Sequence, residues 1–356
     1  MKQVLKTNDW LLSFMKEKYY PPRPVMLLQQ AELAPLPEAR LAWIEWRDLD
    51  RLDDVSWQEQ KILARMHVRI RELDPGYTHL PRVVGLSKSV WTQSGFRLNA
   101  SLAAVDLLLA NNYKIMMFKG IAWDKRFNAK TIRLSGDLDI LVPEKEFISA
   151  ILLLEQNNWE TEANTNWKKR GVVPSEIHGL NYKNANGGNI DIHRRPSHSI
   201  PDGHYLDGLW ARSEAGTFMG RSVRYCSHAD YLALLVDHGV GKCAGEHMSS
   251  IWPGDFHQSV SRFDLKLTAD FQSIIRQLRI PIQCDFALSY CRDILKSNHI
   301  TAFSRQVAPF NISIVDIIRS ILNSPPAFTR GNPIWLVAGS IRRLSRYMDK
   351  VRDGIA

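Results

Sequence analysis

The sequence predicts an α+β protein in which a small sheet lies between an N-terminal and a C-terminal helical region. Short apolar runs with the alternation of strands are concentrated between about residues 112 and 225, whereas the flanking stretches repeat apolar residues at helical spacing. The chain has 356 residues, of which 45% are hydrophobic, which is enough to bury more than one core. We therefore expect a helical region over 1–111, a core that contains the sheet over 112–225 and a helical domain over 226–356.

The N-terminal region is expected to be helical from about residue 7 to residue 110. A proline-rich break at Tyr20–Pro24 would end a first helix. Either Ser56 or the preceding Asp53-Asp54 can cap a longer helix, because their side-chain oxygens can accept a free backbone N–H, and Asp74-Pro-Gly76 would stop it. A further helix is expected from near Ser89 to Ala110.

Two apolar runs after this region predict neighbouring strands. The first, Ile115 to Phe118, ends at Lys119-Gly120, and the second carries Asp137 and Asp139. Side chains alternate along a strand, so the two carboxylates are expected on one face and apolar residues on the other. Adjacent carboxylates repel each other. This repulsion is tolerable if both face water, and it becomes useful if a divalent cation lies between them.

A helix and a hairpin follow the second run. Pro143 suits the first turn of a helix, because its missing N–H would be unpaired there in any case. The runs 178–183 and 189–193 flank an Asn-Gly pair, which supplies the backbone angles of a tight turn. Asp191 therefore lies on a return strand, and His193 shares its face.

These residues resemble the DNA polymerase beta nucleotidyltransferase superfamily, whose pattern is a glycine turn, an acid-x-acid strand and a third acid on a later strand. The residues resemble the uncharacterised bacterial branch of this superfamily, known as family five, more closely. In that branch the turn reads Lys-Gly and an arginine precedes the acid pair. It covers roughly residues 95 to 260 and is moderately specific, because D-x-D alone is common. The matching residues are Lys119-Gly120, Arg133, Asp137, Asp139 and Asp191.

The resemblance implies a small mixed sheet and a metal-dependent enzyme with two ions of Mg²⁺ or Mn²⁺. The reaction would move a nucleoside monophosphate, AMP by default, from an NTP to a hydroxyl or phosphate acceptor with release of pyrophosphate. The catalytic and metal-binding residues would be Asp137, Asp139 and Asp191. The residues that contact the nucleotide would be Lys119, Gly120, Arg133, His193 and His238.

Some of these roles have alternatives. A structural hydrogen bond explains His193 as well as a nucleotide contact does. Where the superfamily has Gly-Ser or Gly-Gly, this chain has Gly120-Ile121, so a hydroxyl contact to the triphosphate is missing and Lys119 would replace it.

Two other functions stay open beside the enzyme. One is a non-catalytic protein that binds NTP or a partner on the same fold. The other is an RNA-modifying nucleotidyltransferase, which the net charge of +9 favours and the lack of a recognisable RNA-binding module disfavours. For the enzyme, the acceptor would be a small molecule, a peptide or a protein.

The chain is expected to be cytoplasmic and to have no membrane partner. It shows no long uninterrupted apolar run and no cleavable leader. Its four cysteines form no C-x-x-C pair, which predicts free thiols. A dinucleotide fingerprint and a P-loop are excluded near Gly239, because no strand precedes the glycines and the required residues are missing.

Overall fold

The computed structural model describes residues 20–49, 52–120, 122, 137–163, 165–171, 173–174, 177–197, 203–241 and 250–310. These residues divide into two compact units. The first unit contains the described residues up to 87 and those from 235 onward, and the second contains those from 88 to 234. The three-part division at residues 111 and 225 stays a prediction, because compactness alone does not define a folding unit.

Among the described residues, four helices precede the sheet: α1 (Arg23–Leu33), α2 (Leu36–Arg47), α3 (Trp57–Leu73) and α4 (Leu80–Ala110). The predicted cap of α3 is confirmed. The Ser56 hydroxyl accepts the backbone N–H of Glu59, while the Glu59 carboxylate accepts the backbone N–H of Ser56, which satisfies two otherwise free donors.

Two helix starts differ from the sequence prediction. The segment Tyr20–Pro24, expected as a break, contains the start of α1, because Pro22 precedes the first turn and Pro24 lies within it. Proline is tolerated there, since the first N–H groups of a helix have no partner inside it. The helix expected from near Ser89 already begins at Leu80. Pro81 lies in its first turn, where proline is tolerated for the same reason. The helix expected before Tyr20 lies outside the described residues.

The second unit contains one mixed sheet of six strands in the order β3-β4-β2-β1-β6-β5. Strand β2 pairs in parallel with β4, and β1 pairs in parallel with β6, while the other pairings are antiparallel. The α+β class with a small mixed sheet is therefore confirmed. The strands are β1 (Met116–Met117), β2 (Leu138–Leu141), β3 (Gly179–Lys183), β4 (Asn189–His193), β5 (Glu214–Phe218) and β6 (Arg221–Tyr225).

Strand β2 is buried along its whole length. Sequence alternation placed the acids on one face, where they would either face water or share a cation, and Asp139 is only 6% exposed. A carboxylate in such a place needs a partner, because burial of an isolated charge is costly. A short 3₁₀ turn (Glu144–Glu146) follows β2, and helices α5 (Phe147–Gln156) and α6 (Gly203–Arg212) complete the region between the strands.

After the sheet, the described part of the chain forms helices α7 (His228–Gly241), α8 (Trp252–Ser259), α9 (Leu265–Leu278), α10 (Pro281–Ser289) and α11 (Asn298–Gln306), with a π-helical turn at Tyr290–Ile294. In the part of the chain that is described, no helix combines the length and the apolar character needed to cross a bilayer. Cys226, Cys284 and Cys291 are buried and are thiols, not disulfides, as predicted, and Cys243 lies outside the described residues.

A buried ion pair joins α3 to α8 inside the first unit. Arg65 donates to Asp255 at 2.9 Å and to Glu32 of α1 at 2.8 Å, and the Asp255 side chain is only 1% exposed. By contrast, Arg82 pairs with Asp53 at the surface, where both side chains are largely exposed. The buried pair is expected to matter far more for stability than the exposed one.

Candidate functional site

The strand pairing places the second and third acids side by side. In the parallel ladder between β2 and β4, Asp139 is the direct partner of Asp191. Paired residues of neighbouring strands project from the same face, so the two carboxylates converge. His193 lies two residues beyond Asp191 on that face, and Lys119 follows the end of β1, the other neighbour of β2.

Four side chains meet at this position and form the four-residue cluster: Lys119, Asp139, Asp191 and His193. The Nε2 atom of His193 lies 3.2 Å from Asp139 Oδ1 and 3.1 Å from Asp191 Oδ2. The Lys119 ammonium forms an ion pair with the same Oδ1 atom of Asp139 and lies 3.5 Å from His193 Nε2. One carboxylate oxygen therefore faces two nitrogen atoms, and the imidazole bridges both carboxylates.

The His193 ring is fixed in place by its neighbours. The ring meets Phe118 edge to face with centroids 5.0 Å apart, and the ring of His178 lies 5.4 Å away. Gly179 of β3 pairs with His193, and a Cβ added there would lie 2.5 Å from His193 Nδ1. Only glycine leaves room for the ring in this orientation, since real Cβ contacts are never so short.

The charges of the cluster stabilise one another. Burial raises the pKa of the Asp139 carboxyl, but the charges of Lys119 and His193 overcome this effect and hold that pKa below its ordinary value. Burial likewise opposes ionisation of Asp191, and His193 and Lys119 again lower its pKa. For Lys119, burial is outweighed by the carboxylates, so its pKa is raised. Both acids are thus ionised at neutral pH, and the lysine is charged.

Asp137 has a different environment. It lies in a bend directly before β2, and burial together with the charges of Asp139 and Asp191 raises its pKa to about 6. Among the described residues, the group whose ligand atoms all lie within 4.8 Å of one another consists of Asp139, Asp191 and His193. Asp137 is close enough for the charges of Asp139 and Asp191 to raise its pKa, but it does not belong to that group.

Lys119 adopts an uncommon backbone conformation. Its φ angle is +53°, in the left-handed region that side chains with a Cβ rarely adopt. Such conformations cost about 1 kcal/mol or more and persist where the surrounding structure requires them. This turn brings the lysine side chain from the end of β1 to Asp139, and the buried Gly120 follows it.

Two further sequence-predicted residues, Arg133 and His238, are not part of the described cluster. Arg133 is outside the described residues. His238 lies in the last turn of α7, within the first unit, whereas the four-residue cluster belongs to the second. The functional roles assigned to all of these side chains stay predictions.

Sequence reasoning missed a buried arginine directly after β4. Arg194 donates to Glu144 at 2.6 Å and to the backbone carbonyls of Ile177 and Pro174 at 2.8 and 2.9 Å. These bonds tie the end of β4 to the turn that follows β2, so they help to hold the two acid-bearing strands together. The available signal was the basic pair Arg194-Arg195 directly after a strand.

The donor set fits a divalent cation. Carboxylate oxygens suit Mg²⁺ and Mn²⁺, and an imidazole nitrogen is compatible with Mn²⁺ and later transition metals. Asp139, Asp191 and His193 are compact enough for their ligand atoms to share one ion. The two ionised carboxylates also supply the negative charge that such an ion requires.

A family model described as an uncharacterised nucleotidyltransferase matches residues 90–296, more than half of the chain and including every residue of the four-residue cluster. No curated protein compared with the chain matches it.

Proposed function

Because this chain belongs to the uncharacterised nucleotidyltransferase family, we propose that it transfers a nucleoside monophosphate, AMP by default, from an NTP to a hydroxyl or phosphate acceptor. An acceptor oxygen forms a bond to the α-phosphorus of the NTP. The bond from that phosphorus to the oxygen bridging the β-phosphate breaks, and pyrophosphate leaves. A proton carried by the acceptor oxygen passes to solvent.

The observation that carries this proposal is the direct pairing of Asp139 with Asp191 on parallel strands, with Lys119 and His193 against them. Asp139, Asp191 and Asp137 would hold Mg²⁺ or Mn²⁺. When bound, these ions lower the pKa of the acceptor hydroxyl and offset the charge of the attacking and leaving oxygens.

The side chains of the cluster have separate tasks in this proposal. Asp139, which is buried, and Asp191, which is partly exposed, are both ionised, so they can hold cations without loss of a further proton. His193 orients both carboxylates through its Nε2 atom. Lys119 offsets charge on the triphosphate, and Gly120 lets the backbone approach it. Arg133 and His238 would add contacts to the nucleotide.

Product analysis tests the proposal. The purified protein is incubated with each NTP labelled at the α-phosphate, with Mg²⁺ or Mn²⁺ and with a cell extract, and products are identified by mass spectrometry. We expect a small molecule, peptide or protein that gains one nucleotidyl group, and we expect Asp191→Asn to abolish the gain.

The outcomes separate the alternatives. A labelled RNA would indicate the RNA-modifying enzyme, and its binding would weaken steeply with salt. NTP binding without any adduct would indicate a non-catalytic binding protein. A protein that binds no NTP with either metal would overturn the proposal.

A further inference from the structure

The Lys119 ammonium already lies among the side chains that would hold a metal ion. It forms an ion pair with Asp139 Oδ1 and lies 3.5 Å from His193 Nε2, the two groups that with Asp191 form the candidate cation site. An ammonium ion is itself a compact cation. A divalent cation bound through Asp139 Oδ1 would therefore have to compete with this lysine.

We propose that Lys119 holds the cation position of the site until a triphosphate draws the lysine away, so that divalent cation and NTP bind cooperatively. This inference rests on the proposed function. It assigns to the lysine a second task, the suppression of metal binding when no nucleotide is present. In that state the carboxylate Asp139 is neutralised by the protein's own charge.

The surroundings of Lys119 fit an exchange between two partners. The side chain is 16% exposed, so part of it already reaches solvent beside the cluster. A triphosphate carries several negative charges, whereas Asp139 offers one, so a bound NTP attracts the ammonium more strongly than the carboxylate does. Loss of the lysine from Asp139 frees an oxygen ligand at the moment when the nucleotide brings its metal.

The competition predicts the effect of removing the charge. Without the ammonium, the carboxylates of Asp139 and Asp191 repel each other with less compensation, and a divalent ion meets no competitor. We expect Lys119→Met to bind Mn²⁺ at least about tenfold more tightly than the wild type in the absence of nucleotide. The gain in Mn²⁺ affinity on adding nucleotide is expected to shrink by a similar factor, because the lysine no longer couples the two events.

Mn²⁺ binding, followed by the electron paramagnetic resonance of the free ion, tests this inference with and without a non-hydrolysable NTP analogue. The variants are Lys119→Met, Lys119→Gln as a second neutral side chain, and Lys119→Arg, which keeps the charge and is expected to bind Mn²⁺ as weakly as the wild type. Lys114→Met is the matched control, because it removes an exposed lysine five residues earlier. Thermal melting confirms that each variant is folded.

Two results would overturn the inference. In the first, both neutral variants bind Mn²⁺ no more tightly than the wild type although nucleotide and Mn²⁺ bind together in all of them; the proposed function then stands without the competition. In the second, neither the wild type nor the neutral variants bind Mn²⁺ or nucleotide, and the proposed function fails as well.

Discussion

The pairing of Lys119 with Asp139 predicts a measurable coupling free energy in the metal-free protein. Asp139→Asn keeps the shape of the side chain but removes its charge, and Lys119→Met removes the opposite charge while keeping most of the apolar stem. Each single change leaves one charged group without its main partner in a poorly solvated place. The double variant leaves neither, so its loss of stability is expected to be smaller than the sum of the two single losses.

The burial of the pair sets the magnitude. Removing one partner of a fully buried ion pair costs about 3 to 5 kcal/mol. Asp139 approaches that limit, with a side chain 9% exposed, but Lys119 is 16% exposed and keeps the attraction of Asp191. We therefore expect each single change to cost about 2 to 3 kcal/mol and the coupling to be about 2 kcal/mol.

Hydrogen exchange of the β2 and β4 amides, followed by mass spectrometry in buffer with a chelator, measures this coupling at the site itself. The local readout avoids the assumption that both units unfold together. Glu162→Gln with Lys183→Met is the matched control, because that ion pair lies in the same unit with both side chains well exposed, and its coupling should be near zero. A coupling below about 0.5 kcal/mol for Lys119 and Asp139 would refute the reasoning.

Three further predictions concern packing and charge. Gly179→Ala should destabilise the sheet by about 1 to 3 kcal/mol and weaken metal binding, because the added methyl group would displace His193. Gly95→Ala, at an open helical position, should instead stabilise the protein by up to about 1 kcal/mol. Urea unfolding measures the change in stability, and Mn²⁺ titration measures the change in metal affinity. Arg65→Leu should cost about 3 kcal/mol or more and Arg82→Leu less than about 1 kcal/mol in urea unfolding, and equal losses would contradict the difference in burial. Burial, with the charge of the neighbouring His299, lowers the pKa of His257 to about 4, so the unfolded chain binds a proton more readily than the folded chain. The free energy of unfolding should therefore fall by up to about 3 kcal/mol as pH drops from about 6.5 to 4. In His257→Asn this part of the pH dependence should vanish.

The sequence was most informative where local chemistry decides the structure. The Asn-Gly turn and its two flanking runs became the hairpin of β3 and β4, because such a turn requires little from the rest of the chain. The capping box at Ser56 is equally local. Prolines were harder to interpret, since proline stops one helix and begins another, and both Pro22 and Pro281 lie at helix starts.

The candidate site could be predicted only in part, because its geometry depends on long-range pairing. Alternation placed Asp137 and Asp139 on one face, but no local rule says that β4 lies next to β2 and that β1 lies on the other side. For this reason the sequence suggested two mutually repelling acids, whereas the structure provides Lys119 as the internal counter-charge of Asp139. The same limit hid the role of Gly179, whose missing side chain matters only once His193 lies opposite.

The most direct test of the central claim compares turnover with NTP affinity in Asp191→Asn. The change keeps the shape of the residue paired with Asp139 but removes a charge that would hold a metal ion. Pyrophosphate release, with the acceptor or with water as a slow substitute, gives the turnover, and an equilibrium titration gives the NTP affinity. The account predicts that turnover falls by about a thousandfold or more while NTP affinity falls much less, and that Glu162→Gln, an exposed acid of the same unit, changes neither. Near-normal turnover in Asp191→Asn would contradict the account.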